Sequence, residues 1–342
     1  MPVPPFDDPW KVTDFNRKSL LGGPDALFFH ARGAMARTLI AGKFPLMRAL
    51  AEFAAQQGVR VDVVTTSEAS RSLLEDPRHL HVFLEDVPIY GAGCFHAVPS
   101  YLRGYWYFDE IGTRNNATQR LRPFDPRPMS GHYARKVFAR LHERFVESNR
   151  SKFDQPPVDS VPVAKGGLCF FAQTFEAPRY HKHYMTVPDM IGAAIAARGV
   201  RPLYIKPHPL QTEDEQAFLK GLHDPDAGVI VTDASIHALL AACDASISLS
   251  SAACFEGFLH KTPAVLGGQT DFAANAVTLT DPVRMQAALQ ETLSRDWPHE
   301  KFLTWFLKKN CVEDRAGQLP EVLGRIYRKG YLWADADGVG FY

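Results

Sequence analysis

The chain lacks the marks of several large protein classes. Its five cysteines, Cys94, Cys169, Cys243, Cys254 and Cys311, lie far apart, and no CxxC pair occurs. That argues against a zinc ribbon or a disulfide framework and suits a reducing cytoplasm. There is no run of about 18 apolar residues, so no spanning helix is expected and any work at a membrane would be peripheral. The opening "MPVPPFDDPW" has neither a basic nor an apolar region and is not read as a signal peptide. An excess of charge is also missing: Lys+Arg and Asp+Glu are both 38. No global field would draw the protein onto nucleic acid or anionic lipid, which leaves only a local basic patch. The thirteen histidines show no metal-ligand spacing, and internal repeats and low-complexity tracts are absent.

What is present is a globular composition, 46% apolar and 22% charged over 342 residues. That length exceeds one ordinary core and implies two domains. In the first half, "ALFFH" (26–30) reads as a buried strand. "FPLMRALAEFAAQQG" (44–58) reads as a helix with a glycine stop, and "VRVDVVTT" (59–66) as the next strand. "HLHVFLED" and "GAGCFHAVP" continue the strands, and "HYARKVFARLHERFVESN" (132–149) is a long amphipathic helix. The segment 151–165, "SKFDQPPVDSVPVAK", has three prolines and little periodicity and is the best linker. Beyond it, short apolar strands alternate with helices as far as "PAVLGG", the pattern of a parallel sheet covered on both faces. The expected division is an N-terminal domain over 1–155 and a nucleotide-binding domain over 156–320. A tail over 321–342 would return to the first domain.

In open α/β sheets ligands sit beyond the carboxyl ends of the strands, so the polar residues there matter most. "YIKPHP" puts Lys206 and His208 at a strand end between stiffening prolines, a cation and a donor suited to phosphate; a solvated, capped turn would look the same. "SLSSAACFEG" puts Ser250 and Ser251 at a helix start, an anion-binding position, although Ser251 could simply cap that helix. Glu256 follows in an apolar helix, available to ribose hydroxyls or to an ion pair with Lys261. "FFAQTFEAPRYHKHY" (170–184) runs from a strand into Gln173, Glu176, Arg179, His181, Lys182 and His183. In the first half, Asp109 and Glu110 follow "YWYF", with Arg103, Arg114, Asn115 and Asn116 around them. Arginine pairs a carboxylate bidentately, and a carboxylate can serve as base or nucleophile. Arg32, in the "HARGAMAR" loop (30–37), is a further candidate.

"YIKPHP", followed by "DASISLSSAACFEGFLHKTPAVLGG" (244–268), resembles the C-terminal half of the capsule-polysaccharide synthesis glycosyltransferases, which include the bacterial β-Kdo transferases. Similar His-Pro and Ser-Ser motifs occur in bacterial sialyl- and polysialyltransferases. The match spans Leu168 to Phe272. It implies an α/β, GT-B-like fold, two Rossmann-like domains facing a central cleft, and a CMP-activated acidic sugar as donor. His208, Ser250 and Ser251 would then hold the CMP phosphate, with Lys206 nearby. "RGYWYFDEIGTRNNATQRLRPFDP" (103–126) is similar to an aromatic-rich, acid-bearing segment of the retaining β-Kdo transferases. GT-B transferases generally need no metal, and "DAD" at 335–337 is read as a coincidental DxD.

The expected function is transfer of Kdo or a related acidic sugar from CMP to a glycan or glycolipid acceptor, with neither cofactor nor metal. Asp109 or Glu110 and His208 would be catalytic. Lys206, His208, Ser250, Ser251, Glu256 and Gln173 would bind the donor. Arg32, Arg103, Arg114, Asn115, Asn116 and Glu176 would bind the sugar or the acceptor. Nucleic acid is not an expected partner. The expected location is cytoplasmic, at most peripheral at the inner face of the membrane. The alternatives are an epimerase or hydrolase of the same fold, or a non-catalytic partner module.

Overall fold

The computed structural model describes residues 24–67, 70, 72–86, 89–91, 93–176 and 181–331. The N-terminal lead, Arg179 and the 335–337 "DAD" lie outside the described residues. The chain divides into two compact units. One takes the residues up to Ser100, Gly104–Leu121 and those from Asn310 on; the other takes Tyr101–Arg103 and Arg122–Lys309.

The first unit begins with β1 (Ala26–His30), every residue of which is buried. α1 (Gly33–Ile40) and α2 (Pro45–Gln56) follow, then β2 (Arg60–Val64), β3 (His79–Phe83) and β4 (Cys94–His96). The strands form a parallel sheet in the order β2-β1-β3-β4. Helix α2 starts with proline in its first turn and buries Leu46, Met47, Leu50 and Ala54. They pack against Leu27, Phe29, Leu80, Val82 and Phe95 on one face of the sheet. Each large apolar side chain so buried contributes about 1.5–3 kcal/mol. β5 (Tyr105–Tyr107) pairs antiparallel with β12 (Cys311–Glu313). α10 (Leu319–Arg328) adds Val322, Leu323 and Ile326 to the same core.

The second unit carries α3 (Gly131–His142) and six strands: β6 (Gly167–Phe171), β7 (Leu203–Lys206), β8 (Val229–Val231), β9 (Cys243–Ser248), β10 (Ala264–Leu266) and β11 (Val277–Thr278). Between and after them lie α4 (Val187–Ala197), α5 (Glu213–Gly221), α6 (Ile236–Ala242), α7 (Ala252–Gly257), α8 (Met285–Ser294) and α9 (His299–Trp305). The sheet is parallel, in the order β11-β10-β9-β6-β7-β8. Numbered within the unit, that is 3-2-1-4-5-6 read from β8, the doubly wound dinucleotide-fold order. Helices α4 and α5 open on reciprocal capping boxes, Thr186 with Asp189 and Thr212 with Glu215. Each box satisfies two otherwise orphan N–H groups.

The units differ from the division expected at residue 155. Residues 122–155 belong to the second unit because α3 buries Ala134, Val137 and Leu141 and packs on α9. The return to the first unit begins at 310, earlier than the expected 321, because β12 completes a sheet there ahead of α10, which adds to its core. The shift follows from where apolar faces find partners, which linker composition does not report. Among the described residues no helix is long and apolar enough to cross a membrane.

Candidate functional site

In the second unit the sheet reverses its order of addition between β6 and β9, so a crevice opens at their carboxyl ends. Gln173 follows β6, and Ser250 and Ser251 follow β9. Gln173 Oε1 accepts from the Ser250 backbone N–H at 2.7 Å and from Ser248 Oγ at 3.0 Å. Gln173 Nε2 donates to Ser250 Oγ at 3.2 Å. His183 Nε2 lies 3.0 Å from the same hydroxyl. Burial, with the neighbouring His181 adding to it, pushes the His183 imidazole down to about 4, so it is neutral near pH 7. The loop that brings His183 in is pinned beside β10: Tyr184 N donates to Gly267 O and Gln269 N to Lys182 O. Ser251 caps α7 through Ala253 N at 3.2 Å. That helix has six residues, so the anion affinity expected of a long helix start is small here. The working donors are the hydroxyls and side chains.

The His-Pro loop reaches this network indirectly. His208 N donates to Gln211 Oε1 at 3.0 Å, and Gln211 Nε2 donates to the Gln173 carbonyl at 3.1 Å. His208 Nδ1 accepts from Leu210 N at 3.2 Å, which leaves the proton of the neutral ring on Nε2. Burial, then the Lys152 charge, lowers the His208 pKa, and Glu215 opposes them. Glu215 also ties the β6 loop, since its Oε1 accepts from Phe175 N at 2.5 Å.

Two expected donor contacts are placed elsewhere. Lys206 Nζ donates to the carbonyls of Ala234 at 2.7 Å and Asp233 at 3.1 Å. It staples the loop after β8, two strands over from β6, and burial lowers its pKa. Glu256 is only 2% exposed and pairs with neither Lys261 nor solvent. Its Oε1 accepts from Ser151 Oγ at 2.9 Å, and Oε2 is buried with no hydrogen-bond partner. Burial raises its carboxyl to about 8, opposed by the Ser151 bond and the charges of Arg103 and Lys152, so it is protonated at neutral pH. Lys261 pairs instead with Glu300 at 2.9 Å. A carboxyl so enclosed offers no surface to a ribose.

The first unit has its own reversal, between β1 and β3. Arg32, after β1, grips Glu85, after β3, in a fork of 2.8 and 2.9 Å. Asp86 beside it accepts from Thr113 Oγ1 and Arg114 Nη1. Asp109, 8% exposed, spends both carboxylate oxygens on its own loop. Oδ1 accepts from Ile111 N at 2.9 Å and Gly112 N at 3.2 Å; Oδ2 accepts from Thr118 N at 2.9 Å and Thr118 Oγ1 at 2.5 Å. These bonds hold a turn in which Arg114 has φ +52°, a left-handed conformation that costs a non-glycine residue energy. Glu110 is more open, with a side chain 38% exposed 3.6 Å from Lys329 Nζ. Asn115 is buried in the same turn and Asn116 half-buried. Arg103 lies in the other unit, donating to Lys152 O at 2.6 Å. Glu176 is exposed at the end of the β6 loop.

Sequence reasoning brought Gln173, Ser250 and Ser251 to one place and left out Ser248, Gln211, Glu85 and Asp86. The alternation Ser246, Ser248, Ser250 was a usable signal, since residues two apart on a strand share a face. Gln211 carried no such signal, because only loop geometry brings it to Gln173.

The fold and the two strand-end clusters define a protein of two α/β units on parallel sheets, the second in nucleotide-fold order. No family model and no curated protein matches the chain. Among solved structures it is similar to the beta Kdo 2,7 transferase of Thermosulfurimonas dismutans KpsC, at 12% identity and TM-score 0.48, over 89% of this chain and 98% of that one. It is similar to the beta Kdo 2,4 transferase of the same KpsC at 15% identity and TM-score 0.45, over 81% and 89%. It is also similar to the UDP-GlcNAc 2-epimerase of Methanocaldococcus jannaschii at 10% identity and TM-score 0.33, over 87% and 79%.

Proposed function

We propose that the chain is a GT-B-type glycosyltransferase of surface-polysaccharide synthesis. It moves Kdo or a related acidic sugar from a CMP-activated donor to a glycan or glycolipid acceptor, on the cytoplasmic side of the membrane. The observation that carries this reading is the network at the β6/β9 reversal, where Gln173 orients Ser250 and His183 stands 3.0 Å from its hydroxyl. The motif order from His208 to Ser250 and Ser251 supports the choice of CMP.

In this reading the Ser250 and Ser251 hydroxyls and His208 Nε2–H meet the CMP phosphate. Preorganised donors stabilise the charge that grows as CMP leaves, and no metal is needed. Gln173, Gln211 and Lys206 are positioning residues. Arg32 and Arg114, already aligned on Glu85 and Asp86, are the guanidinium groups available to the sugar or acceptor. Glu110 is the reacting carboxylate, as base toward the acceptor hydroxyl or as nucleophile at the anomeric carbon. Asp109 shapes its loop.

Thermal shift with CMP, UMP and UDP tests the reading. CMP-selective stabilisation that is lost in Ser250→Ala and weakened in His208→Ala is expected. Preference for UDP would move the chain to the epimerase or hydrolase reading, for which the His183–Ser250 pair is the feature of interest. No shift with any nucleotide would leave a non-catalytic module.

A further inference from the structure

The side chains that meet at the β6/β9 crevice, Gln173, Ser248, Ser250 and His183, carry no charge near pH 7. Lys206 spends its ammonium on two carbonyls after β8. A departing nucleotide phosphate gains negative charge, and a neutral donor meets it roughly half as strongly as an ionised one.

A cation is supplied from Asn149–Gln155, which overlaps the stretch that reads as a linker. This segment is stapled residue by residue to the rest of the second unit. Asn149 Oδ1 accepts from Ser235 Oγ at 2.8 Å, and Arg150 O lies 3.0 Å from His237 Nε2. Ser151 Oγ donates to Glu256, and Lys152 O accepts from Arg103 Nη2. Gln155 Oε1 accepts from Ile236 N at 3.0 Å, while its Nε2 donates to Phe153 O at 3.1 Å. Backbone held in this way fixes where Lys152 and Phe153 project. Phe153 meets His208 edge to face, with ring centroids 5.5 Å apart at 88°. Lys152 is exposed, and its Nζ stands 5.6 Å from the centre of the same Phe153 ring, within cation–π range. One phenyl ring therefore carries an ammonium and borders the imidazole, and the Lys152 charge is felt at His208. Glu215, the carboxylate that also reaches His208, has its oxygens bonded to Phe175 N and Thr212 N.

We infer that Lys152 is the cation of the donor site: its ammonium pairs with the nucleotide phosphate that His208 Nε2–H and the serine hydroxyls also contact. Lys206 holds the β8 loop instead. The inference rests on the proposed function for its ligand, a pyrimidine-nucleotide phosphate, and adds a residue to that site. A lysine suits the task, because its compact charge on a flexible stem reaches a phosphate without demanding a fixed angle.

Titration calorimetry of the full chain with CMP and with cytidine tests this. Lys152→Gln should weaken CMP binding about ten-fold or more, the loss of a charge-assisted hydrogen bond, and leave cytidine binding unchanged. Lys152→Arg should recover most of the CMP affinity. The melting temperature without nucleotide should not move in either variant, because the side chain is exposed. Lys206→Gln should lower that temperature and weaken CMP and cytidine alike. Wild-type CMP affinity in Lys152→Gln would overturn the inference and leave the proposed function standing, as would loss of the phosphate preference in Lys206→Gln alone. If UDP is the nucleotide bound, undiminished UDP affinity in Lys152→Gln, measured against uridine, would overturn it equally. A wild-type chain that binds none of these nucleotides would overturn both.

Discussion

Single side chains carry two opposite surprises. Glu256 reads in sequence as a ligand for ribose and is instead a buried acid held at about 8. The folded chain therefore keeps a proton on it that the unfolded chain releases near 4.5. Stability attributable to this residue is complete below about pH 4.5 and is lost as pH rises toward about 8. Glu256→Gln should remove that loss, with a melting temperature above wild type at pH 8 by several degrees, at roughly 2–4 °C per kcal/mol, and little changed at pH 5. A gain that is the same at both pH values would refute the assignment. Asp109 and Glu110 are neighbours in sequence with divided duties. Asp109→Asn strips acceptors from a turn with strained Arg114 and should destabilise by about 1–3 kcal/mol. Glu110→Gln should leave the melting temperature near wild type and lower kcat by at least ~100-fold. Transfer assays alongside calorimetry separate the two; a Glu110→Gln variant with normal turnover would return the catalytic role to Asp109.

At the scale of elements, the helix starts at Thr186 and Thr212 and the continuous apolar strand β6 were legible, because their causes are local: a hydroxyl three residues before a carboxylate, and five buried residues in a row. Helix α1 was not, since its start falls in the 30–37 stretch that read as loop and its Met35, Ala36 and Leu39 pack only partly buried on the core. The approach of the 181–184 loop to β10 was also hidden. It depends on Gly268, where a Cβ would come 2.8 Å from His183 Cδ2 and 3.0 Å from the carbonyls of Leu249 and Lys182. Two of those neighbours are backbone and cannot yield cheaply. Gly268→Ala should push His183 off Ser250, costing about 1–3 kcal/mol and most of the CMP-induced thermal shift. Retention of the full CMP response in a stably folded Gly268→Ala chain would show that the His183 contact is not needed.

The whole molecule has an acid limit set largely by histidine. On the sheet of the first unit His30 Nε2 lies 3.0 Å from His81 Nδ1, and both rings are nearly sealed from solvent. His30 Nδ1 and His81 Nε2 are buried with no hydrogen-bond partner. Burial pushes His30 down to about 4 and His81 to about 3, each helped by a histidine neighbour. In the second unit burial holds His260 at about 3 and His299 at about 4. All four are neutral when folded and take up a proton near 6.5 when unfolded. Their contribution is complete above about 6.5 and is lost as pH falls toward 4 and then 3, by at most about 1.4 kcal/mol per pH unit for each ring. Urea midpoints measured from pH 8 to pH 4 should hold down to the middle sixes and then drop steeply. A flat profile to pH 4 would mean these imidazoles are solvated.

The sequence by itself determined the strands and helices whose apolar periodicity is local, the two-unit α/β class, and the polar character of the strand ends from Gln173 to Ser251. Only the tertiary structure decided that residues 122–155 join the second unit, that the return to the first unit starts at 310 and not at 321, that Lys206 turns to the β8 loop, that Glu256 is sealed beside Ser151, and that Asp109 is consumed by its own turn. The physical reason is range. Periodicity and capping act within a few residues, whereas burial of a carboxyl or the target of an ammonium depends on which distant segment packs against it.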